Sequence, residues 1–399
     1  MAFLRNDAIN RVNLHTGIQA LAQGAGGIFF LVFLLKAGIA VPQVLLAMAA
    51  VVTGRFVLRP AILPLAKRWG IKPLLVFGTL CLAVQYPILA MVDGVGPMLL
   101  VLIVVVAVGD VFYWPSYHAY FAALGDAEDR GQQVGAREAL AAVVGILAPL
   151  VGAWAFVTLG PGATFAAAGL VQAAAVLPLI GVTNVLVKEA APGTLRAARL
   201  TVALLAIDGW FAAGFFFVWQ IALFAALGGN IPAYGGAMAL AGLFGAAGSL
   251  FLGRIIDLGH GRRAVTIGYG VAAVIIVLRA ASLDSPAVAV AANALGALAM
   301  PLFVPGIGTA MYNMAKASPC ALRFNMASEG GWDVGCFVGC IAAAAFYYYG
   351  QSLSAGILQG VPAAAGIILL LRHYYGRGGR LPPAPPLAVV EEIPVAGGA

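Results

Sequence analysis

Residues 111–140 read VFYWPSYHAYFAALGDAEDRGQQVGAREAL, and residues 302–331 read LFVPGIGTAMYNMAKASPCALRFNMASEGG. Each stretch begins in an apolar run that a proline interrupts, Pro115 in the first and Pro305 in the second. Each then crosses a short polar connection and opens a second apolar run on a glutamate, Glu138 after 23 residues and Glu329 after 24. Apolar composition alone does not set a glutamate twice at a matched distance from a helix-breaking proline. The chain is therefore read as two related halves. Internal repeats of this kind are common in membrane transport folds, where the binding site lies at the repeat interface.

The composition around these stretches excludes a water-soluble globule. Of 399 residues 62% are hydrophobic and 9% charged, and the mean hydropathy is +0.99; soluble domains carry about 25% charged residues. A soluble core could not bury so many apolar side chains, so lipid is the expected solvent. Apolar runs long enough to cross it are expected at 12–35, 41–65, 73–91, 98–124, 135–159 and 164–187, then at 200–227, 234–256, 264–278, 287–314, 326–349 and 353–371. The predicted fold is an all-α membrane protein of twelve transmembrane helices in two homologous six-helix bundles. The bundles occupy 1–187 and 200–373, a cytoplasmic linker 188–199, and a Pro-rich, disordered cytoplasmic tail 374–399. The opening MAFLRND carries Asp7 and runs into a polar-studded helix, so the first span is expected to stay.

The formal charge of +7 suggests nucleic acid only until the cations are placed. Eighteen of the 22 Lys and Arg residues fall at the ends or in loops of one parity. Lys36 and Arg279 fall in loops of the other, and Arg55 and Arg59 lie deep in a span. The positive-inside rule then puts both termini in the cytoplasm of a multi-pass inner-membrane protein. No basic cluster with interleaved aromatics appears, so no nucleic-acid partner is expected. Cys81, Cys320, Cys336 and Cys340 lack metal or disulfide spacing; Cys336 and Cys340 share a helix face and read as small buried hydrophobes.

The architecture resembles the major facilitator superfamily, over the whole chain to about Leu371. Its marker is a Gly–x–x–x–Asp–Arg–x–Gly–Arg–Arg type loop between the second and third helices of each half. The C-terminal copy reads GRIIDLGHGRR, in which Gly253 and Asp257 match directly and Gly261, Arg262 and Arg263 match after a one-residue insertion. The N-terminal copy reads LPLAKRWGIK: Arg68, Gly70 and Lys72 match, while Leu63 and Lys67 stand where glycine and aspartate are expected. GILAPLVGA on the fifth helix resembles the Gly-Pro-x-x-Gly-Gly element of antiporting members, with Pro149 and Gly152 in place and Ala148 and Ala153 substituted. The arginine such exporters often carry on the fourth helix is absent, and Asp110 is the charged residue there. The resemblance implies alternating access, with the first, fourth, seventh and tenth helices lining a central cavity.

Polar residues inside the expected spans are the candidate site, because each costs a few kcal/mol to insert and needs a partner, a cavity or a function. His15, Gln19 and Gln23 recur on one face of the first helix. Trp114, Tyr117 and His118 join Asp110 on the fourth, Asp208 heads the stripe Phe211, Phe215 and Trp219 on the seventh, and Asn293 lies on the tenth. Acidic groups beside aromatic stripes suit an amphiphilic or cationic organic molecule. The same stripes suit plain helix packing and interhelical hydrogen bonds, and both readings stay open. Asp110, Asp208, Glu329 and Asp333 are the candidate proton-coupling groups, with a static Asp110 pair to Arg55 or Arg59 as the alternative. By the family's packing, Glu329 and Asp333 are expected to meet Lys67 or Arg59, and Arg137 to meet Asp257, as cytoplasmic gate latches that also involve Arg68, Gly70, Arg262 and Arg263.

The functional expectation is a secondary active transporter, moving a small organic solute by proton antiport. Symport or uniport for uptake is the alternative, and a non-transporting assembly factor or sensor of the same fold a further one. The chain has no Walker loop, HExxH or intramembrane GxSxG, so neither ATP drive nor an enzyme is expected. A monomer without cofactor, its partners the solute, protons and the lipid bilayer, completes the reading.

Overall fold

The computed structural model describes residues 6–125, 130–187, 190–256, 261–350 and 352–376. Twelve helices are long and apolar enough to cross a membrane, and no strand forms among the described residues. They are α1 Asp7–Lys36, α2 Val41–Trp69, α3 Ile71–Ala90, α4 Pro97–Leu124, α5 Arg130–Thr158 and α6 Gly160–Leu179. The second set is α7 Thr194–Ala226, α8 Ile231–Ile256, α9 Gly261–Ala281, α10 Pro286–Lys316, α11 Ala321–Tyr348 and α12 Leu353–Gly376. Helices are the expected answer in lipid, since each satisfies its own backbone polar groups. Side chains such as Leu100, Leu170, Val274 and Leu369 point outward, where hydrocarbon rather than water receives them.

The packing repeats as the sequence does. Within the first six helices α3 packs on α4 and α6, α1 on α5 and α6, and α2 on α4. Within the second six, α9 packs on α10 and α12, α7 on α11 and α12, and α8 on α10. Each contact of one bundle has its counterpart six helices later. The bundles meet chiefly through α2 on α11 and α5 on α8, two contacts that exchange under the same correspondence, and α4 also packs on α11. Small residues let the backbones approach there: Gly242 of α8 lies against the Gly145 backbone of α5, and Gly235 against Pro149 and Ala153.

The first helix of each bundle is broken at the same place. In α1 the α-helix ends at Ala25, and a 3-10 turn over Gly27–Phe29 follows. In α7 a π-helical turn occupies Ala213–Val218. Glycines mark both breaks, Gly26 and Gly27 in α1 and Gly214 in α7. In α2, Pro60 sets a 3-10 turn over Arg59–Ala61, which opens on the second of two buried arginines, Arg55 and Arg59.

Most spans run three to six residues past an expected end, α12 reaching Gly376 and so taking in the first three residues of the expected tail, and two differences reshape a connection. The run 164–187 stops being helical near Leu179, where Pro178 and the left-handed Gly181 (φ +80°) intervene. Residues 180–187 are instead non-helical and bond to α2, α3 and α4. Ile71 N–H donates to the Val185 carbonyl (2.8 Å), Lys72 Nζ to that of Val182 (2.6 Å), and Tyr120 Oη to that of Thr183 (2.6 Å). Asn184 Nδ2 donates to the Trp69 carbonyl (2.8 Å), and its Oδ1 accepts from Lys72 N–H (3.2 Å). The left-handed Gly70 (φ +84°) lies under this amide, where a Cβ would strike it. The second difference is α7, which begins at Thr194 and so takes in six residues expected in the linker; the left-handed Gly193 ends the connection.

Candidate functional site

Four helices bring their ionisable residues to one place at the bundle interface. Arg55 and Arg59 lie one turn apart in the middle of α2, Asp110 at the middle of α4, and Glu329 and Asp333 one turn apart on α11. Arg55 is the hub. Its Nη1 stands 3.5 Å from Asp110 Oδ2 of its own bundle, and its Nη2 donates to Glu329 Oε2 of the other at 3.2 Å. Its Nε is 3.0 Å from Asp333 Oδ1, an ion pair outside hydrogen-bond alignment. Arg59 Nη2 donates to Asp333 Oδ2. Both arginines are 5% exposed and the Asp333 side chain not at all, so their charges have one another in place of water. Buried charges persist only when paired in this way.

Aromatic and imidazole groups frame the charges. Trp114 Nε1 donates to Asp110 Oδ1 (3.1 Å) and the indole stacks on His118 (centroids 5.9 Å apart). His118 Nδ1 is 3.2 Å from Tyr312 Oη of α10, and its Nε2 is 3.9 Å from Glu329 Oε1. The guanidinium of Arg55 lies over the Trp332 ring at 5.2 Å, and Asp208 of α7 hydrogen-bonds the same indole. Two guanidinium groups thus face three carboxyls, and Asp208 adds a fourth acid behind Trp332. With every carboxyl ionised, the cluster has an excess of negative charge, which protons or a cation can reduce.

The structure brings together Asp110, Asp208, Glu329, Asp333, Arg59, Trp114 and His118 from the sequence-based set. Tyr117 borders the cluster, its ring 5.4 Å from His118 and 6.5 Å from Trp114, and the remaining residues lie elsewhere. His15 sits inside the first bundle, its Nδ1 2.7 Å from the Ala175 carbonyl and its Nε2 3.3 Å from Tyr113 Oη. Gln19 accepts from that same hydroxyl, Tyr117 stacks on the Tyr113 ring at 5.7 Å, and Gln23 is exposed. Phe215, Trp219 and Asn293 are buried inside the second bundle, where Trp219 Nε1 donates to Asn293 Oδ1 (2.9 Å).

Among the gate residues, the carboxylates of α11 take the arginines at positions 55 and 59 as partners. Lys67 is exposed two turns further along α2, beyond the Pro60 break. Arg68 lies over Trp69, Arg262 Nε donates to the Arg372 carbonyl (3.2 Å), and Arg263 is exposed. The Asp257 end of the expected Arg137–Asp257 latch, and the side chains of Arg137 and Glu138, lie outside the described residues.

Sequence reasoning missed three residues. The sequence offers Arg55 only as an optional partner of Asp110, alongside Arg59, and not as the bridge between bundles. Trp332 carries no signal beyond falling one residue before Asp333. Arg279 was assigned to a loop, but α9 runs to Ala281 and Arg279 is buried within it. Cys336 and Cys340 are buried with their sulfurs 4.0 Å apart, against Ala49, Val52 and Ala213; no group of metal-ligating side chains forms among the described residues.

The family model described as Major Facilitator Superfamily matches residues 16–234. Among solved structures, the human organic anion transporter MFSD10 (TETRAN) superposes with a TM-score of 0.63 at 15% identity, over 92% of this chain and 98% of that one. An auto-inhibited POT family peptide transporter superposes with a TM-score of 0.61 at 13% identity, over 97% and 99% of the two chains. At such identities the likeness is one of fold. A comparison by sequence with curated proteins finds no match.

Proposed function

This chain belongs to the major facilitator superfamily, and from that premise we propose that it is a proton-coupled antiporter for a small amphiphilic organic solute, acting as a monomer in the inner membrane. The observation that carries the reading is the sharing of Arg55 between Asp110 of one bundle and Glu329 and Asp333 of the other. Separating the bundles at this level removes two carboxylates from Arg55 and one from Arg59. Protonation of those carboxyls weakens the same contacts, so proton uptake and bundle separation favour each other. Asp110 stays with Arg55 in either state, because both belong to the first bundle. It is the group able to take the arginine's charge when the other bundle leaves. Trp114, His118, Tyr312 and Trp332 supply aromatic faces around the acidic groups, the chemistry that receives an amphiphilic or cationic solute.

The test is transport by the purified protein in vesicles that carry an internal pH dye, with candidate organic solutes added outside. Asp110→Asn retains an acceptor for Trp114 Nε1 but cannot carry a proton. Solute binding is expected to survive and solute-driven proton movement to fall at least about tenfold, a barrier change of roughly 1.4 kcal/mol. Wild-type proton movement in this variant makes Asp110 a static partner of Arg55.

A further inference from the structure

Of the acids gathered at the bundle interface, Asp208 forms no ion pair among the described residues. Its partner is the Trp332 indole, which donates to it, and the face of that indole carries the Arg55 guanidinium at 5.2 Å. One side chain therefore meets an acid of its own bundle at its edge and the bridging arginine of the other bundle at its face. The other ionisable groups near the Asp208 carboxyl are Glu329 of α11 and Tyr269 of α9. The pairing of Asp208 with Trp332 is built into the seam between α7 and α11. Gly209 lies against the Trp332 carbonyl, Gly331 against that of Val202 and Gly335 against that of Ala206, each so close that an added Cβ would strike it. The two backbones thus touch before and after Trp332 along α11, and both helices belong to the second bundle. Separation of the bundles leaves Asp208 with Trp332 and parts Trp332 from Arg55 of α2.

We propose that Trp332 is a positioning residue for Arg55 and that Asp208 sets its grip, an ionised carboxylate holding the indole on the guanidinium and a protonated one relaxing it. This rests on the reading of Arg55 as the bridge on which alternation turns, and it acts on that bridge through an aromatic ring rather than an ion pair. Two physical effects run in the same direction. A hydrogen bond to a carboxylate is stronger than one to a neutral carboxyl, so ionised Asp208 fixes the ring orientation more firmly. The same bond draws the indole proton toward the acid and leaves more negative charge on the ring face, which is what a guanidinium seeks. When Asp208 takes a proton from water both effects fade, Arg55 loses attraction to the second bundle, and separation is favoured. Proton uptake at Asp208 therefore works in the same direction as proton uptake at Glu329 and Asp333.

The test uses the purified full-length protein without solute and without a proton gradient. Ultraviolet resonance Raman spectroscopy reads the strength of the hydrogen bond at an indole N–H, and subtracting the Trp332→Phe spectrum isolates Trp332 in a chain of six tryptophans. Its band is expected to move toward a weaker bond as the pH falls from alkaline to acidic, to do so in Glu329→Gln as well, and to stay fixed in Asp208→Asn. Subtracting the Asp208→Asn spectrum gives the same pH-dependent difference if Trp332→Phe does not fold. Spin labels at positions 67 and 316, with the four cysteines replaced, read the consequence for the bundles. Asp208→Asn is expected to raise the ratio of long to short distances about threefold. In a Trp332→Phe background, which keeps a ring for Arg55 but has no N–H for Asp208, the same substitution is expected to change it by less than about 1.5-fold. A Trp332 band that does not move with pH overturns the proposal, and so does an Asp208→Asn effect of equal size with and without the indole N–H. Vesicles that show no proton movement would remove antiport and leave both of these readouts as they are, so the two readings fail separately.

Discussion

Asp333 accepts from Arg59 and pairs with Arg55, and water does not reach its side chain. Its removal therefore exposes what holds the bundles together at this level. In Asp333→Asn, Arg59 keeps its charge in a buried position and loses its carboxylate partner. Stranding one member of a buried pair costs about 3–5 kcal/mol, much of it the unpaired charge left behind. The variant is expected to melt several degrees lower than wild type, and Arg59→Gln added to it is expected to recover part of the loss. A double mutant no more stable than Asp333→Asn alone would remove the pair from the account. Lys67→Asp is the control: an exposed site is expected to change stability by less than about 0.5 kcal/mol. These residues also mark how far the site was legible. The spacing of Glu329 and Asp333 put both on one face of α11, and Arg59 was a foreseen partner. The competing claim of Lys67 rested on its place in a loop pattern. Only the turn set by Pro60 decides which cation faces α11, and a one-dimensional pattern does not contain that direction.

At the scale of elements, spans were readable because lipid imposes one rule on every helix, and their ends were not because local chemistry sets those. Residues 180–187 are apolar enough to extend α6, yet Gly181 turns the chain and Asn184 gives it two backbone partners under α2 and α3. The π-turn in α7 has no sequence signal apart from Gly214, and within it the Phe215 carbonyl accepts from Arg279 Nη1 at 2.8 Å. The interface of α5 with α8 is more direct. Gly242 meets the Gly145 backbone so closely that no side chain fits between them. Gly242→Val is expected to wedge the two helices apart and cut transport at least about tenfold, while a change on the lipid face such as Leu243→Ala leaves the rate within about twofold. Solute flux in vesicles at matched protein density measures both; wild-type flux in Gly242→Val would mean that the close approach is dispensable.

For the whole molecule, orientation and alternation are the quantities at stake. Arg279 lies within α9 and Lys36 ends α1, so few cations mark the side opposite the termini; reporter fusions at Ala399 and after Val187 are both expected to report cytoplasm, and a periplasmic signal at either would break the topology. Alternation follows from where the bundles touch. On the side that carries the termini, and down to the middle, the Arg55 and Arg59 ion pairs join α2 to α11. Near the far side, Tyr234 Oη of α8 donates to the Ile28 carbonyl of α1 at 3.2 Å, and the Tyr234 ring meets Phe29 edge-on at 5.9 Å. Two contact sets at different depths act as opposing latches if each is formed in states closed on its own side. A change of about 1.4 kcal/mol in either then alters the ratio of states tenfold. Spin labels at positions 67 and 316 span the bundles on the side of the termini, and labels at 36 and 230 span them on the far side. With the four cysteines replaced, Asp333→Asn is expected to lengthen the 67–316 distance and leave the far pair unchanged or shorter. Tyr234→Ala is expected to do the reverse. Lengthening of both pairs by one substitution would mean loosened bundles rather than a shifted balance, and an unchanged 67–316 distance in Asp333→Asn would mean that the ion pairs are not a latch. The structure favours reciprocal movement because the latches join the same two rigid bodies at opposite ends, so that opening one end presses the other together.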